Sequence, residues 1–571
     1  MTADTLNADS NVPKNLPMDR MQAILDLLSH PLISSLLSLH PNSLALSSFV
    51  CPEEWTSWFD WAATDTLKFS NSSKQSERPS NLETADPQWL TLLRYYEACR
   101  RGDKSCGPCD AFATIPEDVR EIIEGLSGRS LPRDVGHSFP TSPDSTYLSP
   151  SRPSLSHTSL PGMSPKKAHE VVEMTAFLEE LLLSHTSLRD TRYAVDIGAG
   201  QAYLSRNLRD SLGLHVLALD WSDVQSQGAA RKDASAGKSS RKSRPKDQIN
   251  TGNSDTASPG KPNHHRTAAS GSLTYVTARI DKESLLASIE AWLGEAAPPG
   301  LQSSAPELAP SQGAVPRPVL MVALHACGSL TPDILRAFFA AAARSHRRTE
   351  VSVGVQEHVT WTPQGAVIVG CCYNMMRPED FPLSRAFMSC RGAEGFRLTA
   401  NHLQLAAQVP TEWTRTEETV EAARFAIRKV VWRAALEETL QKHGGAAAHE
   451  RGDAHAQGTQ QDCLPRRLGR LNDSAYRDWE TFVRTVRAKM GLADVDIPAP
   501  NPEMERRIEV FQTLRCIAGP AVESLILLDR LAWIQEELEG LPYRVELVNL
   551  FDQASGSGRN VAIVIRPTES P

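Results

Sequence analysis

The sequence predicts an α/β fold whose centre is a Rossmann-like, mostly parallel sheet of seven strands. Strands and helical segments alternate from residue 163 onward, which is typical of β-α-β units and a parallel sheet. Two further strands, 543–550 and 560–566, end the chain as a hairpin, so we expect the last strand to insert antiparallel. A helical N-terminal region precedes the sheet, and a helical insertion at 384–541 separates the fifth strand from the sixth.

The elements of this sheet follow in order along the chain. Ser164 and Pro165 are typical of an N-cap and a first helical position. A β-branched strand at 193–197 leads through a glycine turn to a helix at 203–212 and a second strand at 215–220. Three more strands are predicted at 273–280, 319–324 and 366–369, with helical segments between them. They complete the parallel part of the sheet.

The domain organisation follows from changes in composition. We expect a helical region at 1–126, a Ser/Pro-rich linker at 127–162 and a sheet domain at 163–567. Disordered inserts are expected within that domain at 223–272, 294–317 and 443–465.

Composition excludes several classes of protein. Ten cysteines without framework spacing do not describe a disulfide-stapled secreted chain, and no apolar run reaches the length of a membrane span. The N-terminus has no apolar signal core. We therefore expect a soluble protein of the cytoplasm or nucleus, without a membrane partner.

Charge bears on the possible partners. The formal charge of −8 argues against bulk attraction to nucleic acid. Locally, residues 223–272 hold nine Lys or Arg against four Asp, including the cluster 241–246. This segment is a candidate for RNA phosphate or a nuclear import receptor, and a solvated loop without a partner is the alternative.

The turn after the first strand is the main functional motif. Asp196 ends the strand, and Gly198 and Gly200 allow a tight turn with close approach to a ligand. A dinucleotide site requires a small third residue where this chain has Tyr203, whereas S-adenosylmethionine carries no phosphate and tolerates it. Asp220 ends the second strand, where a carboxylate accepts ribose hydroxyls. The loop thus predicts S-adenosyl-L-methionine as cofactor, and the fold becomes a class I methyltransferase sheet. The cofactor residues expected from the loop are Asp196, Gly198, Ala199, Gly200, Gln201, Tyr203 and Asp220.

The ends of the fourth and fifth strands form the expected acceptor edge. Histidine side chains are the commonest general bases, so His325 is the candidate base, and Tyr373 or Asn374 would orient an acceptor. Cys327 and Cys372 lie at the same edge. Packing of small thiols and tetrahedral zinc binding are the alternatives, and because the spacing is unlike the usual zinc patterns we predict no metal. A second cluster, Cys99 with Cys106-Gly-Pro-Cys109, lacks a clear fourth ligand.

Several motifs in this order resemble the methyltransferase-like protein 25 family, which includes relatives named as ribosomal RNA adenine dimethylase domain-containing proteins. The motifs are 163–171, 196–205, 324–328, 370–373, 381–384 and 525–531. The resemblance implies a class I fold and S-adenosylmethionine binding. It does not imply adenine dimethylation, because His325-Ala-Cys-Gly328 replaces the aromatic motif on which a flipped base stacks.

The same edge is also similar to that of tRNA ribose 2′-O-methyltransferases. That similarity implies that Lys166, Lys167, His169 and Glu170 lie near the cofactor or a phosphate, and it adds Lys167 and His169 to the cofactor residues. Ser329 departs from the pattern, which usually has Asp. We therefore expect a methyltransferase that acts on RNA or an RNA-associated substrate. A protein methyltransferase and a non-catalytic assembly protein are the alternatives.

Overall fold

The computed structural model of the protein describes most of the chain. The described residues are 16–64, 86–102, 110–135, 138–139, 162–223, 225, 227–228, 271–295, 315–350, 359–444, 468–492 and 495–568. Most of the predicted linker and of the three predicted inserts, the basic cluster 241–246, and Cys106 and Cys109 lie outside them.

The chain divides into two compact units. One comprises the described residues of 132–386 and 529–571, and the other those of 17–131 and 387–528. The sequence predicted the N-terminal helices and the helical insertion as separate regions. In the structure, the N-terminal helices and most of the insertion belong to the second unit.

The first unit is built on a single mixed sheet. Its strands are β1 (Ser138–Phe139), β2 (Tyr193–Ile197), β3 (His215–Asp220), β4 (Leu273–Thr277), β5 (Arg317–Cys327), β6 (Trp361–Cys371), β7 (Tyr543–Asn549) and β8 (Val561–Pro567). They lie in the order β1-β7-β8-β6-β5-β2-β3-β4. Strands β2 to β6 pair in parallel, and β8 is antiparallel to both β6 and β7. Apart from the two-residue β1, which was not predicted, this is the class I methyltransferase sheet, so the predicted fold class is confirmed.

The strand order creates a switch point between β2 and β5. From β2 the chain proceeds through β3 and β4 in one direction, and from β5 through β6 in the other. Ligands of open parallel sheets bind at such a point, beyond the carboxyl ends of the strands. The predicted cofactor loop follows β2, and His325 and Cys327 lie at the end of β5.

Helices pack on the sheet through their apolar sides. The helices of this unit are α7 (Pro165–Ser184), α8 (Tyr203–Leu212), α9 (Lys282–Glu295) and α10 (Leu330–Glu350). Helix α7 begins as predicted at Ser164, whose side chain accepts a hydrogen bond from the amide of Lys167. Its Met174, Phe177 and Leu178 join β-strand residues in one buried core.

The second unit is helical. It contains α1 (Leu16–Leu28, from Pro17), α2 (Pro31–Ser38), α3 (Thr56–Ala63), α4 (Gln88–Arg101), α5 (Asp110–Ala113), α6 (Glu117–Arg129), α12 (Ala400–Leu405), α13 (Glu417–Gly444) and α14 (Trp479–Met490). The short α11 (Arg385–Met388) and the long α15 (Pro502–Glu537) cross the boundary between the units.

A shared aromatic core explains why the N-terminal helices and the insertion form one unit. Trp55 and Trp58 are fully buried, and the ring of Trp55 lies 5.1 Å from that of Phe511 on α15. The amide of Leu131 also donates to the hydroxyl of Ser524 at 2.9 Å. Trp61, also on α3, is only partly buried. None of the described helices is long and apolar enough to span a membrane.

Candidate active site at the carboxyl edge of the sheet

The loop from β2 to α8 has a backbone that ordinary side chains disfavour. Gly198 has a φ of 75° and Gly200 a φ of 54°, and Ala202, which caps α8, also lies in the left-handed region at 53°. The amides of Gly198 and Ala199 both donate to the carbonyl of Leu219 at 2.9 Å. The loop is therefore tied to the end of β3.

Asp220 extends this tie with its side chain. Its Oδ2 accepts a hydrogen bond from the amide of Gly200 at 2.8 Å, and its Oδ1 accepts one from the amide of Ser222 at 2.9 Å. A carboxylate accepts about four hydrogen bonds, so two amides leave capacity for a ligand. The structure thus brings Gly200 and Asp220 together, as predicted from their positions after neighbouring strands.

Trp221 was not predicted as a site residue. Its side chain is 78% exposed, directly after Asp220, and large aromatic side chains are seldom left in solvent. The signal in the sequence was an aromatic residue immediately after a strand-terminal acid, which places a flat apolar surface beside the expected ribose position.

Asp196 is buried rather than open to a ligand. It is 2% exposed, and its Oδ2 accepts a hydrogen bond from the hydroxyl of Ser205 at 2.5 Å. Burial raises the pKa of Asp196 to about 6, against the opposing effect of the Ser205 hydrogen bonds. Asp196 therefore ties α8 to β2 beneath the loop.

Of the remaining predicted cofactor residues, Lys167 and His169 lie on α7, Tyr203 begins α8, and Gln201 lies in the loop before α8. Tyr203 is 5% exposed and donates from its hydroxyl to the carbonyl of Gly162 at 2.8 Å. The ammonium of Lys167 lies 5.3 Å from the centre of its ring, so the structure brings these two residues together. The side-chain amide of Gln201 donates to the side chain of Gln225. The Nε2 of His169 is buried without a hydrogen-bond partner in the described structure.

Glu170 and His325 form a pair at the acceptor edge. The Oε2 of Glu170 lies 3.1 Å from the Nε2 of His325, and the side chain of Glu170 is 4% exposed while that of His325 is 36% exposed. When a buried carboxylate accepts from Nε2–H, the neutral imidazole keeps its lone pair on Nδ1. This is the arrangement of an oriented general base, and it unites two residues that are distant in sequence.

Three thiols converge beside this pair. The sulfur of Cys327 lies 3.2 Å from that of Cys371 and 3.6 Å from that of Cys372. The hydrogen bond from Cys371 lowers the pKa of Cys327 to about 6, against the opposing effect of burial. The same contact and burial raise the pKa of Cys371. Cys371 was not among the predicted site residues, although it lies in the motif 370–373.

The other two acceptor candidates are placed differently. Tyr373 is 1% exposed, and the guanidinium of Arg530 lies 5.6 Å from the centre of its ring. The ring is therefore buried rather than open to an acceptor. Asn374 is exposed. Ser329 accepts a hydrogen bond from the amide of Arg377 at 2.8 Å, so this residue anchors the loop that follows β6.

Comparisons with known proteins agree with this geometry. Residues 166–347 match the profile of a family described as "Methyltransferase domain". The chain is 24% identical over 261 residues to "Probable methyltransferase-like protein 25" of Homo sapiens, which covers 41% of this chain and 34% of that protein. It is 25% identical over 248 residues to the protein of the same name from Mus musculus, covering 41% of this chain and 35% of that protein. The matched regions thus span about a third of the length of these relatives. No solved structure matches the chain significantly.

The chain therefore carries a methyltransferase domain. Its fold and the family match agree on this point, and the resemblance to methyltransferase-like protein 25 is supported at low identity over part of each chain.

Proposed function

We propose that the protein transfers a methyl group from S-adenosylmethionine to RNA. The observation that supports cofactor binding in this proposal is the junction of Gly200, Asp220 and Trp221 at the switch point. It places a left-handed glycine, a strand-terminal carboxylate and an exposed aromatic side by side.

The residues at this junction fit the cofactor. Among the described residues, and apart from its own chain neighbours, no atom lies within 4 Å of the place where a Cβ on Gly200 would stand, so this part of the structure leaves room for a ligand. Asp220 suits the ribose hydroxyls, and Trp221 offers a stacking face for adenine.

Residues of this chain supply the acceptor chemistry. S-adenosylmethionine, when bound, provides a methyl group on a positively charged sulfur that is already electrophilic. His325 takes the proton of the acceptor, and Glu170 fixes the imidazole and stabilises its positive charge afterwards. A hydroxyl needs such a base because its proton must leave as the new bond to the methyl carbon forms.

Two features favour RNA and a hydroxyl acceptor over an adenine base. Tyr373 is covered, so it offers no surface on which a flipped base could stack. Lys167 lies above Tyr203 near the cofactor loop, and Arg559 acts electrostatically on Cys327 at the acceptor edge. Cations on both sides suit a phosphate-bearing acceptor.

Calorimetric titration tests the cofactor. Wild-type protein is expected to bind S-adenosylmethionine, and Asp220→Ala is expected to weaken binding about 100-fold, because hydrogen bonds to a charged group contribute about 1.5–3 kcal/mol each. Asp210→Ala is the matched control, since Asp210 is an exposed carboxylate on α8 that pairs with Arg209. Equal affinity in the two variants would contradict the assignment of Asp220.

Radiolabelled methyl transfer tests the acceptor. Protein incubated with tritiated S-adenosylmethionine and fractionated cell extract is expected to label RNA, and ribonuclease should release the label. His325→Ala should abolish labelling while cofactor affinity stays within a few-fold. Label that resists ribonuclease but not protease would identify a protein acceptor instead. Cofactor binding without any labelling would favour a non-catalytic protein.

A further inference from the structure

The three thiols at the acceptor edge come from two different strands. Cys327 ends β5, and Cys371 ends β6, with Cys372 directly after it. Their three sulfur atoms all lie within 4.8 Å of one another. The sequence separates Cys327 from the other two by more than forty residues, so no local spacing pattern indicates the cluster.

The backbone departs from regular strand geometry so that both adjacent cysteines face Cys327. Consecutive residues of a strand point to opposite faces of the sheet. Cys372 breaks this alternation with a φ of 49° and a ψ of 50°, a left-handed conformation that few residues other than glycine adopt. Such conformations are concentrated at functional sites.

Gly328 closes the cluster from the other strand. Its amide donates to the carbonyl of Cys371 at 2.8 Å, which joins the two strand ends. A Cβ at this position would lie 2.5 Å from the carbonyl oxygen of Met375, so only glycine allows the two loops to approach this closely. Left-handed conformations therefore flank the thiols on both strands.

We propose that Cys327, Cys371 and Cys372 form a binding site for a thiophilic d10 metal ion, Zn²⁺ or Cu⁺. Zinc binds thiolate at about 2.3 Å, so tetrahedral ligands lie about 3.8 Å apart. The observed separations of 3.2 Å and 3.6 Å reach this value with small side-chain movements, and they are too long for a disulfide of about 2.05 Å.

The site has three protein ligands, so a tetrahedral ion would take its fourth ligand from solution or from a bound molecule. Within the described part of the chain, no other Cys, His, Asp or Glu joins the group. Cys327 and Cys372 are partly exposed, whereas Cys371 is buried, so an ion can enter from the acceptor side. Sites with three protein ligands keep an open coordination position for water or a substrate atom. The proposal of a metal site does not depend on the proposed methyl transfer to RNA.

Metal analysis of the full-length protein, purified under reducing conditions, tests the proposal. Elemental analysis is expected to find one zinc or copper ion per chain, and it reports which of the two is bound. The paired change of Cys327 and Cys372 to Ser should remove this ion. The paired change of Cys106 and Cys109 to Ser is the control for the other candidate cluster, and it should leave the ion in place.

Reconstitution measures the affinity and counts the ligands. Metal-free protein should bind Zn²⁺ in competition with a chelating dye, and Cys327→Ser should weaken the affinity more than about 100-fold, beyond the effect of a residue that only orients a ligand. Co²⁺ in place of Zn²⁺ should give a sulfur-to-metal charge-transfer absorption that falls by about a third in Cys371→Ala. Circular dichroism and thermal unfolding identify folded variants, and Cys51→Ser, a partly exposed thiol of the second unit, is the matched control.

Two results would overturn the proposal. The first is protein without stoichiometric metal that also fails to bind Zn²⁺ or Cu⁺ after reconstitution. The second is metal that remains, with unchanged affinity, in folded variants lacking Cys327 and Cys372.

Discussion

Gly328 and Gly200 provide a matched pair for testing the geometry of the acceptor edge. Both residues have a φ of 54°, so replacing either with alanine imposes the same backbone penalty. They differ in their surroundings. Within the part of the chain that the structure describes, a Cβ on Gly200 meets no atom within 4 Å apart from its chain neighbours. A Cβ on Gly328 lies 2.5 Å from the oxygen and 2.6 Å from the carbonyl carbon of Met375.

The expected energies follow from this difference. Gly200→Ala should cost only the left-handed backbone, about 1 kcal/mol. Gly328→Ala should cost the same amount plus an overlap with main-chain atoms that no rotamer relieves, about 2–3 kcal/mol more. A domain of this size loses about 2–4 °C of melting temperature for each kcal/mol. We therefore expect shifts of about 3 °C for Gly200→Ala and about 10 °C for Gly328→Ala.

Scanning calorimetry of the full-length protein without cofactor measures both shifts. The melting temperature to compare is that of the unfolding transition that changes in the two variants. Because Met375 lies in the loop that follows Cys372, Gly328→Ala should also disturb the cysteine cluster, whereas Gly200→Ala should not. Equal shifts in the two variants would refute the close approach of Gly328 to the backbone of Met375.

Three further predictions follow from individual side chains. Trp221→Ala should weaken S-adenosylmethionine binding at least about tenfold, since stacking of a base on an aromatic contributes about 1–3 kcal/mol. The melting temperature of this variant without cofactor should be unchanged. Trp479→Ala, which removes an aromatic of the second unit, is the control. Glu170→Gln should lower the methylation rate about 100-fold with unchanged cofactor affinity, because the amide no longer stabilises the charged imidazole; a normal rate would exclude Glu170 as the group that positions His325. Folding raises the pKa of Asp196 from 3.8 to about 6, so the folded state binds the proton of this carboxyl more tightly than the unfolded state does. The free energy of unfolding should therefore fall by up to about 3 kcal/mol as the pH rises from 4 to 6. Urea unfolding of Asp196→Asn against wild type at pH 4 and pH 7 measures this, and an equal pH dependence in both proteins would contradict it.

The periodicity of apolar residues was sufficient to predict the order of strands and helices along the chain. Alternating strands and helices, followed by a hairpin, predicted the class I fold, because burial on both faces of a parallel sheet requires β-branched runs at regular intervals. The turn at Gly198 and Gly200 was predictable for a similar local reason. A left-handed backbone strongly favours glycine, and the positions at the end of neighbouring parallel strands place Asp220 beside it.

Other features depend on contacts between residues far apart in sequence. The sequence could not indicate that Trp55 and Trp58 share a core with Phe511, because an apolar helical face does not specify its partner. Burial likewise separated residues that the motifs had grouped together. Asp196 and Tyr203 lie beneath the loop, and Tyr373 lies beneath the acceptor edge.

The glycine turn after β2 and the sheet were determined by the sequence alone, because both depend on local backbone preferences and short-range periodicity. Only the tertiary structure decided the composition of the acceptor edge. It joined Glu170 on a helix before the sheet to His325 on β5, and it brought Cys327 to the adjacent cysteines after β6. Such groups form where parallel strands end side by side, and their distances depend on register and on a left-handed turn at Cys372, which no local spacing pattern records.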